Sequence, residues 1–321
     1  MRPFSRRPRG IPLATGGDRA DQVSVQQSGA MAASDRPIPR NGMRRSLRAI
    51  FPPIPFAALL IMLVLPALFA EFIAPHNPFA GGLGKSLQPP FWELGGSFEH
   101  LLGTDRIGRD ILSRIIFGAR ISSTVALLGV TISAFIGTTL GLIAGYYGGL
   151  VDAVVMRLVD MTLAFPAILL ALALATAIGP TLIGVVIVVV FILWAFFARQ
   201  VRGEVLSLMP EDFVAQARIT GQGAGRIMVF HLLPNVAGSI IVLCTLQFGL
   251  VILLESTLSF LGVGLPRPTP AWGLMVADGR DLIVRAWWVA FFPGLALTIT
   301  VLAANAWGDR LRDALDPRRQ G

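Results

Sequence analysis

Six apolar runs, each long enough to cross a lipid bilayer as a helix, leave this chain few ways to fold. They lie at roughly 50–73, 121–146, 152–177, 181–200, 236–262 and 286–307. A helix rises 1.5 Å per residue, so about 20 apolar residues cover the roughly 30 Å of hydrocarbon. Inside lipid every backbone N–H and C=O has to be satisfied within the segment, and runs of this length achieve that as helices. Composition agrees: 54% of the 321 residues are hydrophobic and only 14% are charged, against about 25% charged in a soluble domain. The expected fold is therefore all-α and polytopic, with six transmembrane helices. Leu68-Phe-Ala70 loosely resembles a signal-peptide cleavage site, but the first run is longer than a signal core and five more spans follow, so an uncleaved first helix is expected.

The basic residues orient the helices. They are all arginine except Lys85. With the N-terminus inside, the inner pieces hold the ten arginines of the tail, Arg157, Arg199, Arg202, Arg218, Arg226, Arg310, Arg312, Arg318 and Arg319. The outer pieces hold Lys85, Arg106, Arg109, Arg114, Arg120, Arg267, Arg280 and Arg285, so nineteen of the 27 lie inside. Basic residues concentrate on the cytoplasmic side of membrane proteins, which predicts cytoplasmic N- and C-termini. Residues 1–48, rich in Arg, Gly, Ser and Pro, read as a disordered cytoplasmic tail, and Met31 or Met43 could be the true start. Residues 49–120 hold the first helix and a long extracytoplasmic loop, and 121–318 form the main transmembrane domain, with a cytoplasmic segment at 201–235. The net charge of +8 arises from this placement, so nucleic acid is not an expected partner, whereas membrane lipid is.

Enzyme chemistry finds no support. Gly81-Gly-Leu-Gly-Lys-Ser86 looks like a phosphate loop, but Phe79 stands where the pattern needs its first glycine and Pro89-Pro90 blocks the helix that should follow. His76, His100 and His231 are scattered without helical metal-ligand spacing, and Cys244 is the only cysteine, so neither a metal set nor a nucleophile–base arrangement is expected. Any ATP-driven work then falls to another chain.

Charges within the spans are more informative. Arg157 and Asp160 are expected to pair at i, i+3 near one membrane face, and Asp160 and Glu255 are candidates for a pathway or gate. Gly137, Gly141 and Gly145 recur every four residues and predict close packing of the second helix against a neighbour. Pro66 and Pro166 are expected to kink their helices.

The polar 213–235 segment, set between two long apolar runs, gains nothing for bilayer stability. Pro210-Glu-Asp212 suits a helix first turn. A short helix over Phe213–Thr220 follows, Gly221 stops it in the left-handed region, and a second short helix from about Ala224 to Leu233 is expected to end at Pro234-Asn235. The result is a helix–turn–helix knob small enough to fit a groove on a partner.

The knob resembles the coupling, or EAA, loop of binding-protein-dependent ABC importer permeases. The family pattern runs Glu-Ala-Ala, three residues, Gly, nine residues, then an apolar residue, any residue and Leu-Pro. Ala217, Gly221, Leu233 and Pro234 match it, while Ala215, Gln216 and His231 depart. Other stretches are similar to the second, C-type subunit of the dipeptide, oligopeptide and nickel permeases: His100–Asp110, Met156–Asp160, Leu258–Gly262, Pro270–Gly273 and Gly308–Pro317. The resemblance implies a type I ABC importer permease fold, a second homologous permease, two ABC ATPase subunits carrying ATP and Mg, and an extracytoplasmic solute-binding protein. This chain itself then binds no cofactor. Phe213, Ala217, Arg218, Gly221, Leu233 and Pro234 become the expected ATPase-coupling residues. Asp105, Arg109 and Asp110 are expected either to meet the binding protein or to hold an amphipathic helix against the membrane surface. The competing class is a secondary transporter or channel acting without ATPase partners.

Overall fold

Two of the long helices start on a side-chain cap. In the computed structural model of the chain, residues 53–315 are described, and all lie in one compact unit. The expectation for the 1–48 tail falls outside them. The helices are α1 (Ile54–Ile73), α2 (Ile111–Tyr147), α3 (Gly149–Leu163), α4 (Ala167–Ile178), α5 (Leu182–Leu208), α6 (Asp212–Ile219), α7 (Ala224–Phe260), α8 (Trp272–Gly279) and α9 (Trp288–Leu315). Five are long and apolar enough to cross a membrane singly, or six where the α3–α4 pair, bent by 89°, is counted as one span. Asp110 caps α2 by accepting from the Ser113 amide at 2.8 Å, and Thr181 caps α5 by accepting from the Gly184 amide at 2.9 Å.

Three boundaries differ from the sequence reading. First, α2 begins at Ile111, so residues 111–120 belong to the span and the preceding loop is 74–110. At 37 residues the helix is about 55 Å long. Its first turns pack inside the protein: Ile111, Arg114 and Ala119 are buried, and the Trp272 indole N–H donates to the Ile115 carbonyl at 2.9 Å. Second, Pro166 breaks the third span instead of kinking it. Proline offers no N–H and steers the residue before it away from helical angles, and α3 and α4 meet at 89°.

Third, Pro234 does not end a helix. Just before it, Met228–Leu232 widen into a π turn, the Leu233 amide reaches back five residues to the Met228 carbonyl, and the Asn235 side-chain amide donates to the His231 carbonyl at 2.6 Å. The helix therefore runs on from the knob into the membrane. The same device stands before Pro66, where Leu60–Val64 form a π turn and Leu65 reaches back to Leu60. A π turn shifts the hydrogen-bond register by one, which lets a helix pass a residue that cannot donate. A second irregularity in α1 follows at Phe69, whose φ of −115° and ψ of 23° are not helical.

The core is the α2–α5 seam. Gly137, Gly141 and Gly145 face α5 as the four-residue repeat implies. A Cβ on Gly137 would lie 2.4 Å from the Trp194 carbonyl oxygen, and one on Gly141 2.7 Å from that of Ala198. Only hydrogen fits at these points, so the two backbones touch. α7, α8 and α9 complete the bundle around the start of α2. Trp272 of α8 is fully buried, and Gly273 lies directly against the Ser256 backbone.

Candidate coupling site and buried polar clusters

The knob is built on an apolar anchor. Val214 and Ala217 of α6 are buried, and they pack with Leu142, Val201, Val205 and Ile227 from α2, α5 and α7. Burying a side chain the size of Val214 stabilises by about 2 kcal/mol. The helix then closes in a Schellman turn: the Gln222 amide donates to the Ala217 carbonyl at 3.1 Å and the Gly221 amide to the Arg218 carbonyl at 3.0 Å. This turn needs the left-handed φ of +75° at Gly221, around which no atom crowds the position of a Cβ. Gln222 then reaches His231 Nε2 at 2.9 Å, tying the turn to α7.

The six expected coupling residues divide by burial. Ala217 is spent inside the chain's own core, Phe213 and Leu233 are half-buried against it, and Arg218, Gly221 and Pro234 are exposed. The Arg218 guanidinium lies over the Tyr146 ring at 5.4 Å, so it is held in place. Sequence reasoning missed Ile219, which is 85% exposed at the tip. It lies off the stripe formed by Phe213, Val214 and Ala217, and that was the available signal.

Near the knob, the expected Arg157–Asp160 pair does not form. Asp160 binds Arg199 of α5 at 2.5 Å, and Arg157 is exposed. Across the same seam Arg202 grips Asp152 through two bonds, 2.9 and 2.5 Å. The carboxylate of Asp160 turns toward α5 and away from the preceding turn of α3, and this orientation is set by packing, not by i, i+3 spacing.

At the other end of α2 both loop carboxylates are occupied. Asp105 Oδ1 accepts from the amides of Ile107 and Arg109 at 3.0 and 2.9 Å, and Oδ2 accepts from Arg109 Nε at 2.6 Å and Arg114 Nη1 at 3.0 Å. Arg114, 1% exposed, was not singled out in the sequence, where it looks like one more outer arginine. Asp110 caps α2 through Oδ2 and meets His100 Nδ1 through Oδ1 at 3.1 Å. Glu255 is likewise fully buried, bonded by Ser259 at 2.8 Å, Ser122 of α2 at 3.2 Å and Ser256 at 3.4 Å. It joins α2 to α7 instead of facing an opening within this chain. The phosphate-loop lookalike is a short 3₁₀ turn, Leu83–Lys85, whose lysine pairs with Glu99.

A helical bundle with a glycine-tight seam and five or six helices of membrane-crossing length defines a polytopic membrane protein. Residues 137–321 match the family of binding-protein-dependent transport system inner membrane components. The chain is 44% identical over 259 residues to the di/tripeptide transport system permease protein DppC of Pseudomonas aeruginosa, covering 81% of this chain and 86% of the relative. It is 46% identical over 258 residues to the dipeptide transport system permease protein DppC of Escherichia coli K12, covering 80% and 86%. With the dipeptide transport system permease protein DppC of Alkalihalophilus pseudofirmus the identity is 44% over 260 residues, covering 81% and 82%. The chain belongs to this family. It is a multi-pass inner-membrane permease subunit of an ABC importer.

Proposed function

We propose that the chain forms half of the translocation pathway for peptides of two or three residues, with both termini and the 212–232 knob in the cytoplasm. The observation that carries the reading is the knob itself. A short helix is pinned by Val214 and Ala217 while its tip, with Ile219, Gln216 and Arg218, is left to a partner. The basic-residue distribution supports the cytoplasmic placement, and the substrates in the relatives' names support the peptide class.

In this reading two ATPase subunits bind ATP and Mg and receive the knob in surface grooves, and a second, homologous permease supplies the other half of the pathway. Because α7 continues unbroken from the knob to Phe260, a push on the knob travels along a rigid rod into the bundle. The buried Asp105 and Asp110 hold the start of α2. The solute-binding protein meets the charged cavity of about 630 Å³ lined by Arg106, Arg267, Asp278 and Arg280. Glu255 keeps α2 and α7 moving together at that end, and Asp160 with Arg199 latches α3 to α5.

The test is uptake of a labelled dipeptide by proteoliposomes that hold the assembled complex, its solute-binding protein and ATP. Saturable uptake that unlabelled di- and tripeptides compete away is expected. Uptake that proceeds without ATPase subunits, or a binding protein that ignores peptides, would overturn the assignment.

A further inference from the structure

The loop between α1 and α2 brings together residues that the transport mechanism does not use. His76 and His100 are 24 positions apart in sequence, yet their rings lie 4.7 Å apart between centroids, tilted by 41°. With Glu99 they place three ligand-type atoms within 4.8 Å of one another. Three separate pieces of chain hold this cluster. The His76 amide donates to Ser113 Oγ in the first turn of α2 at 3.0 Å, and His100 Nδ1 is bonded to Asp110, the cap of the same helix. Glu99 is held by Lys85.

We propose that His76, His100 and Glu99 bind one divalent transition-metal ion of the zinc type, with Asp110 as the outer carboxylate orienting His100. His100 is 4% exposed and its Nε2 is buried without a hydrogen-bond partner. An orphaned buried polar atom is costly, and a metal bond offsets that cost. The Nδ1 contact to Asp110 is the arrangement in which a carboxylate fixes the ring of a metal-binding histidine and raises its basicity. Two imidazoles and a carboxylate suit zinc, cobalt, nickel and copper, and do not suit calcium or magnesium, which prefer oxygen. Lys85 bonds Glu99 Oε1, so Oε2 is the oxygen that turns to the metal. Ligand atoms about 2 Å from a common ion sit closer together than 4.8 Å, and the exposed Glu99 supplies most of that closure. His76 borders an open hollow beside Glu71, Asn77 and Phe117, which gives an ion a route in. Binding would fasten the loop to the start of α2.

The probe is Co²⁺, titrated into the purified complex carrying a tag without histidine and read by its visible d–d absorption. One Co²⁺ per chain, displaced by Zn²⁺, is expected. His76→Ala should abolish the band. His100→Asn should as well, although its side-chain amide can still donate to Asp110, so loss of the band there reports the missing Nε2 and not a lost fold. Asp110→Asn should weaken binding about 10–100-fold, and His231→Ala, in the knob, should leave the Co²⁺ band unaltered. No band in the wild-type complex, or a band that survives both His76→Ala and His100→Asn, would refute the site.

Discussion

Gly221 offers the sharpest test, because its energetic role can be isolated. Its φ of +75° lies in the left-handed region, and a Cβ built there meets no atom within 4 Å. Steric clash is therefore absent, and any penalty is purely conformational. For an ordinary L-residue this region costs about 1–2 kcal/mol. Replacing glycine by alanine recovers about 0.4–1 kcal/mol by restricting the unfolded chain, so Gly221→Ala should lose at most about 1.6 kcal/mol. Gly221→Val is β-branched, an outlier in this region, and should lose about 2 kcal/mol or more. Gly221→Asn should be close to neutral, because asparagine tolerates left-handed angles. A 2 kcal/mol loss raises the population of misformed turns about thirtyfold. The turn carries both Schellman bonds and the Gln222–His231 link, so the knob loses its fixed shape while the membrane-embedded bundle keeps its own. ATP hydrolysis and dipeptide uptake are measured in the same proteoliposomes. Uptake per ATP should fall in the order Gly ≈ Asn, Ala, Val, with subunit assembly unchanged. A Val variant that couples normally, or an Asn variant as impaired as Val, would refute the conformational reasoning.

Ile219→Asp should leave stability within about 0.5 kcal/mol, as expected for an exposed position, yet lower uptake per ATP; a thermal melt and the same vesicle assay separate the two effects. Asp105→Ala strands Arg109 and Arg114 inside the protein and should destabilise by about 3–5 kcal/mol, read as a lower temperature for loss of monodisperse complex. Asp105→Asn, which keeps an oxygen for the two amides, should lose less. Gly141→Val forces a side chain against the Ala198 carbonyl and should cost about 3 kcal/mol or more by overpacking the α2–α5 seam, seen as failure to accumulate in the membrane.

Whatever rests on a few neighbouring residues or on bulk hydropathy is legible in the amino-acid sequence. The lengths of the apolar runs fix which helices can cross the membrane, because lipid leaves the backbone no other partners. Gly137, Gly141 and Gly145 fix which face of α2 a neighbour approaches, and Gly221 fixes the sign of φ at the knob. Local rules also misled where they met longer-range demands. Pro234 reads as a helix end, but the π turn at Met228–Leu232 carries the helix past it. Pro166 reads as a kink, but the geometry there reaches 89°.

Which side chains pair is settled by the packed bundle. Asp160 chose Arg199 over Arg157, Arg114 was drawn to Asp105, Glu255 found three serines, and His76 met His100. Each choice depends on how far apart and at what rotation two helices or loops settle. That relative placement follows from packing the whole bundle, and no window of sequence contains it. The same holds for Ala217 and Ile219, two positions apart in one short helix. One is core and the other is surface because α6 happens to lie with that face on α2, α5 and α7.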